Sequence, residues 1–256
     1  MENKTENKNP IQVTDRLFLV IETLAETGPL TLAALCQRLD LNKSTVHRLL
    51  SSLIYVGYVR QDPSDGRYAL SFRFLTLSNQ ILQNIDILEI ARPFIRELSR
   101  ETGETVHFVQ LDGLEAVYIY KQESSQNSIR MASKVGSRIP LYCSGIGKAM
   151  LADMEDEAIK KIWDSSSISK LTPHTITDYT AFFERIQEVR QRGYALDDEE
   201  NEIGVRCIAA AVQGFDDGAR YAFSISAPVT RMDDARIAEL SQYVLRVKKE
   251  IQTSLR

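Results

Sequence analysis

The 256-residue sequence predicts an α+β protein in two parts, a small winged helix-turn-helix followed through a linker helix by a larger domain on an antiparallel sheet. Three observations predict it. Residues 12–54 repeat their apolar positions only at helical spacing. Residues 55–70 alternate around a Pro/Gly turn, as a hairpin does. From Glu104 onward the period changes to two and strands interleave unevenly with helices. A composition of 43% apolar and 26% charged residues supports a packed core and excludes a disordered or fibrous chain. The expected divisions are a disordered tail at 1–10, the winged helix-turn-helix at 11–71, a linker helix at 72–85 and the larger domain at 86–256.

The first helix is read from Val13, Leu17, Val20, Ile21 and Leu24, with Thr14 or Asp15 as its cap and Gly28-Pro29 as its stop. Thr31 caps a second helix carrying Leu32, Leu35 and Leu39. The stretch Asp40-Leu41-Asn42 is long enough only for a tight turn, and Asn42 or Ser44 caps the helix after it. That third helix has two faces. Val46, Leu49, Leu50 and Leu53 recur on the inner one; Lys43, Ser44, Thr45, His47 and Arg48 crowd the other. Two cations, two hydroxyls and an imidazole form a donor set suited to phosphates and base edges. By itself such a face reads first as a solvated basic helix. The hairpin beyond it shifts the reading towards double-stranded DNA, because its turn at 62–66 is flanked by Arg60 and Arg67, the wing of a winged helix. Charge agrees: no Asp or Glu occurs from Leu41 to Gln61, in a chain of net charge −4. Residues 1–84 carry 9 Lys/Arg against 8 Asp/Glu, and the remainder 22 against 27. Nucleic acid, if bound, is bound by a local patch.

Residues 71–84 read as a connector helix. Asp86 caps another, running to Thr102-Gly103, in which Pro93 marks either a kink or the start. Strands are expected at 105–111, 116–122 and 129–134, with a turn at Asp112-Gly113 between the first two. Residues 145–152 and 155–163 read as helical. Thr177 or Asp178 caps a helix at 179–192 that Gly193 closes. Strands follow at 194–197, 207–213 and 220–227, and a long helix at 231–254 ends the chain.

Catalytic readings of this part are weak. Ser144-Gly145-Ile146-Gly147-Lys148 suggests a phosphate loop, but Tyr142 stands where its first Gly belongs and Ala149 replaces the magnesium-binding Ser/Thr. What remains is a helix opening whose N–H groups suit an anion such as a carboxylate. The run Asp197-Asp198-Glu199-Glu200-Asn201-Glu202 reads as a solvated loop rather than a metal cluster. His47, His107 and His174 are scattered and no Cys/His pair has zinc spacing, so no metal or cofactor is expected. Cys207 reads as a buried structural thiol. Ser224 and Ser226 share one strand face, as the floor of a polar pocket or as simple packing. No nucleophile signature appears, so an organic-acid enzyme with a helical accessory domain is disfavoured. Cys36, Cys143 and Cys207 lack paired spacing, no apolar run approaches the ~18 residues of a membrane span, and residues 1–9 are polar, not a secretory signal. A cytoplasmic protein without membrane contact is the expectation.

Several ordered motifs carry a resemblance: Leu41-Asn42-Lys43-Ser44-Thr45-Val46-His47-Arg48-Leu49-Leu50, Gly57-Tyr58-Val59, Thr102-Gly103-Glu104-Thr105, Pro140-Leu141-Tyr142-Cys143-Ser144 leading to Gly147-Lys148-Ala149, Thr175-Ile176-Thr177, and Gly204-Val205-Arg206-Cys207-Ile208-Ala209-Ala210. Together they resemble the IclR family of bacterial transcription regulators, from Val13 to the carboxy terminus. The resemblance implies a homodimer, or a homotetramer as a dimer of dimers, that binds operator DNA through the winged helix. It also implies a GAF-like second domain that binds a small organic acid, with regulators of sugar-acid catabolism as the nearest likeness and a keto acid as a related effector. Matched motif by motif, the effector contacts are Gly145, Ile146, Asp197, Cys207, Ser224 and Ser226. The implied function is a repressor of a sugar-acid or related carbon-source operon; an activator of the same architecture is the alternative. One departure is Leu70-Ser71, where the family usually has Leu-Gly.

Overall fold

The computed structural model describes residues 9–124, 131–213 and 220–255. The chain divides after Asn84 into two compact units, each with its own core. The tail expected at 1–10 lies outside the described residues as far as residue 8.

In the amino-terminal unit, α1 (Gln12–Thr27), α2 (Leu32–Leu39) and α3 (Lys43–Tyr55) bury Val20, Leu24, Leu35, Val46, Leu49, Leu50 and Leu53 against one another. Burying one such aliphatic side chain stabilises by about 1.5–3 kcal/mol. The hairpin of β1 (Val59–Gln61) and β2 (Tyr68–Leu70) closes the core with Val59 and Tyr68, and Leu30 bridges to Tyr68. Thr31 caps α2, its Oγ1 accepting the Ala34 N–H at 3.3 Å; Asn42 caps α3, its Oδ1 accepting the Thr45 N–H at 2.8 Å. Asp40 ends α2 in the left-handed region at φ 50°, a conformation that a short polar side chain tolerates. One expectation fails. Neither Thr14 nor Asp15 caps α1, which begins a turn earlier after Ile11, where Asn9 Oδ1 accepts the Ile11 N–H at 3.0 Å. Helix α4 (Arg73–Gln83) leaves the wing through Ser71, whose hydroxyl donates to the Gly57 carbonyl at 2.6 Å. Ser71 has no positive φ, so this joint does not require the glycine usual there.

The carboxy-terminal unit is a six-stranded antiparallel sheet in the order β5-β4-β3-β8-β7-β6. Its strands are β3 (Thr105–Asp112), β4 (Glu115–Gln122), β5 (Arg138–Pro140), β6 (Ala195–Asp198), β7 (Val205–Gln213) and β8 (Arg220–Pro228). Helices α5 (Asp86–Thr102) and α9 (Asp234–Ser254) pack on one face. On the other lies α6 (Gly145–Ala152), backed by α8 (Tyr179–Arg192); α7 (Asp156–Ser165) adds Ile159 to the same core. Pro93 lies inside α5, so that pattern is one helix carrying a proline. Asp86 is its first residue, with Ile85 at the cap position. Asp178 caps α8, accepting the Ala181 N–H at 2.9 Å. The strand expected at 129–134 is not formed by its described part, 131–134; instead the short β5 pairs with residues 115–117 of β4. The last helix starts at Asp234, after a single 3-10 turn at Val229–Arg231. Among the described residues no helix is long and apolar enough to cross a membrane.

Candidate nucleic-acid interface and ligand site

Amphipathy alone orients α3. With Val46, Leu49, Leu50 and Leu53 turned into the core, Lys43, Ser44, His47 and Arg48 are exposed and Thr45 is half-buried. Asn42 orders the start of this face, since its Oδ1 accepts both the Thr45 N–H and the Ser44 hydroxyl at 2.8 Å. Arg60 and Arg67 are exposed on the wing, where Arg67 sits 3.4 Å from the Asp65 carboxylate, an exposed pair worth little. All seven residues picked from the sequence for DNA lie on this unit; α3 carries five and the hairpin two.

Of the six residues picked for an effector, Gly145, Ile146, Asp197, Ser224 and Ser226 are buried and Cys207 is half-buried, short of the buried thiol its sequence suggested; strand pairing gathers the four that lie on β6, β7 and β8. Asp197 is paired with Cys207 and Cys207 with Ser226; one step along the sheet Ala209 is paired with Ser224. These rows continue to Thr105 and His107 on β3. Alternation sends the side chains of 195, 197, 207, 209, 224 and 226 to the face that α6 covers. Close approach of α6 there is allowed by glycine and alanine. A Cβ on Gly145 would stand 3.2 Å from the Asp197 nitrogen and 3.5 Å from the Ala209 Cβ. One on Gly147 would stand 2.2 Å from the Leu141 backbone, a clash no rotamer relieves. Ser144 caps the helix, its Oγ accepting the Gly147 N–H at 3.0 Å and donating to the Pro140 carbonyl at 2.7 Å. Ile146 is buried in the cluster that also holds Tyr118, Tyr142 and Cys143.

Reading the sequence missed several polar groups at this place. His107 is 2% exposed; its Nε2 is 2.7 Å from Ser133 Oγ, and its Nδ1 lies 3.3 Å from Ser226 Oγ and 3.5 Å from Ser224 Oγ. Burial, helped by the Lys121 ammonium, pushes its pKa down to about 3, so the imidazole is neutral. The Tyr118 ring meets His107 edge-on at 5.0 Å, and burial raises its phenol above the ordinary tyrosine range. Burial likewise raises the Cys207 thiol and pushes Cys143 up to about 12, which leaves both uncharged and poor nucleophiles. A signal existed for His107, which holds an inward position of an apolar strand two residues from Thr105 and Val109.

The acidic run is not the solvated loop that its sequence suggested. Asp198 and Glu202 are exposed, but Asp197 and Glu200 are only 4% and 6% accessible. Glu200 forms a buried ion pair with Lys148 of α6. Asp197 Oδ1 accepts the Glu200 N–H at 2.8 Å and the Asn201 N–H at 3.3 Å. The hydroxyls of Thr172 and Thr175 hold the Glu199 and Glu200 carbonyls, each at 2.7 Å. Glu199 takes a positive φ of 59° within this loop. Burial raises the Asp197 pKa to about 6, against the opposing pull of Lys148 and the two backbone donors. Among the described residues no group of three or more His, Cys, Asp or Glu side chains is placed to hold a metal ion.

Comparison with known proteins assigns both units. Residues 13–63 match the IclR helix-turn-helix domain, and residues 79–253 match the carboxy-terminal domain of the bacterial transcriptional regulator IclR. The chain is 38% identical to the DNA-binding transcriptional repressor YiaJ of Escherichia coli over 85% of its own length and 78% of the relative's. It is 36% identical to the E. coli HTH-type transcriptional regulator KdgR over 93% and 91%. The crystal structure of the Thermotoga maritima IclR superposes with a TM-score of 0.84 at 27% identity, covering 95% of this chain and 98% of that one. The chain therefore belongs to the IclR family, bacterial DNA-binding transcriptional regulators and not enzymes.

Proposed function

We propose that the protein represses a sugar-acid or related carbon-source operon and releases, or rearranges on, its operator when a small organic acid binds the carboxy-terminal unit. The observation that carries this reading is the convergence of Asp197, Cys207, Ser224 and Ser226 in adjacent sheet rows facing the glycine-opened start of α6. A carboxylate suits the N–H end of a helix. The serine hydroxyls, the neutral His107 and Asp197 suit hydroxyl and keto groups. We assign residues 11–71 to DNA binding, 72–85 to the linker and 86–256 to the effector. Lys43, Ser44, Thr45, His47 and Arg48 would enter the major groove, with Arg60 and Arg67 on the flanking backbone or minor groove.

Exposed apolar side chains on α1 and α4 support a homodimer: Phe18 is 55% accessible, Leu75 60% and Ile81 65%. Two copies would set their reading helices on half-sites about 34 Å apart or a multiple of it. We place the protein in the cytoplasm, with its DNA. The effector acts only through a difference in its affinity for the DNA-bound and released arrangements. A thermal-shift screen of sugar acids and keto acids, followed by a footprint of the upstream DNA, tests the reading. Stabilisation by a sugar acid and a footprint over the promoter are expected. Stabilisation by none of the acids, or a footprint upstream of an activated promoter, contradicts it.

A further inference from the structure

We propose a second small-ligand site, for a phosphate group that still carries a proton, in the cavity between α8 and the edge strand β6. This cavity of about 250 Å³ has polar walls of Lys148, His174, Arg185, Arg192, Asp198 and Glu200. It differs from the proposed effector site: Leu196 and Asp198 line it, and alternation along β6 turns Asp197 the other way.

Most charges in these walls are already matched. Lys148 pairs with Glu200, Arg185 with Glu188 at 2.7 Å, and Asp198 with Arg206 at 2.7 Å. Arg192 is different. Its Nε donates to the Tyr194 carbonyl at 2.7 Å and its guanidinium lies 4.8 Å from the Tyr194 ring, but among the described residues no carboxylate is within salt-bridge distance of it. Burial lowers its pKa, the mark of a partly desolvated cation without full compensation. The second unmet group is Glu200 Oε2, a buried acceptor without a hydrogen-bond partner. A buried acceptor left unmatched is destabilising until a donor reaches it.

The occupant must therefore accept from a guanidinium and donate to a carboxylate oxygen. A phosphate group retaining one proton does both, and its oxygens match the planar fork of Arg192. Sulfate has no proton to donate. With the other wall charges paired, the guanidinium of Arg192 calls for an anion, and a protonated phosphate group meets it while keeping a proton for Glu200, which a simple carboxylate lacks. The loop that carries Glu200 is also held by Asp197, so occupancy here bears on the neighbouring site.

Calorimetric titration of the full chain at about pH 6, where a phosphate group keeps one proton, tests the proposal with inorganic phosphate, glycerol phosphate, sulfate and lactate. A phosphate probe is expected to bind at least about tenfold more tightly than sulfate or lactate. The tighter of the two phosphate probes tells whether the occupant is free phosphate or a monoester. Arg192→Gln should weaken that binding about ten- to a hundredfold at unchanged melting temperature, and Arg192→Lys should weaken it less. The proposal is overturned by sulfate or lactate binding as tightly as phosphate, by no binding of either phosphate, or by wild-type affinity in both variants.

Discussion

The proposed DNA-reading helix and the proposed ligand pocket use similar side chains in opposite settings. On α3 the hydroxyls, imidazole and cations project from a helix whose other face fills the core. Under α6, serines, a histidine and a carboxylate are themselves inside, held by strand register and by helix–sheet contact. Site geometry on the surface depends on one helix being formed and capped. In the interior it depends on packing between segments distant in sequence, and burial resets protonation as well: His107 is held neutral and Asp197 is raised to about 6. The interior site should thus respond to packing and to pH, and the surface site to salt.

The largest effect is expected where packing fixes the interior site. Gly147→Ala places a methyl against the Leu141 backbone and should destabilise the carboxy-terminal unit by about 3 kcal/mol or more. Differential scanning calorimetry checks it; a melting curve like that of the parent protein would show that α6 shifts freely and that the pocket is not fixed by this contact.

Next comes pH. Asp197 has its carboxylate pKa raised from 3.8 to about 6 by burial. Below about pH 3 the carboxyl is protonated in both folded and unfolded chains, so it contributes no difference. As pH rises towards 6 the unfolded chain ionises first and stability falls, by about 3 kcal/mol once both forms are charged. Asp197→Asn should lose that dependence while its side-chain oxygen still accepts the Glu200 N–H. Urea unfolding at about pH 4 and pH 7 measures the difference; parallel pH profiles for parent and variant would refute the assignment.

A smaller effect is expected at the surface. Arg48→Ala should weaken operator binding by about five- to tenfold and reduce the salt slope by about one, without changing the melting temperature. Gel shifts across a salt series are the check, and equal affinities would remove Arg48 from the interface. Smallest is Asn42→Ala, which takes away the cap of α3 and should lower stability by about 1 kcal/mol in urea unfolding. A change below a few tenths would mean that Ser44 takes over the cap.

The same contrast explains what could be read in the sequence. Local chemistry announced the α3 face, the turn of the wing and the caps Thr31, Asn42 and Asp178, because a cap needs only a side chain near three N–H groups. It misplaced the start of α1, where Asn9 rather than Thr14 or Asp15 shapes the entry. Strand β5 escaped notice because three residues on a sheet edge carry too little alternation to register. The interior site was legible only in pieces. Ser224 and Ser226 showed a shared face, and the family resemblance supplied Asp197 and Cys207. That His107 belongs beside them follows from the β3–β8 pairing, across more than a hundred residues, and no local pattern contains it. For the same reason the acidic run looked solvated, although Lys148 of a distant helix draws Glu200 inward.

In the proposed mechanism the buried rows control the exposed helix. Operator binding by fluorescence anisotropy, titrated with the acid that gives the largest thermal shift, tests this most directly in the parent protein and in Ser224→Ala. Both should bind operator equally well without ligand, and only the parent should change its affinity as the acid is added. An equal response of Ser224→Ala at the same acid concentrations would contradict the account.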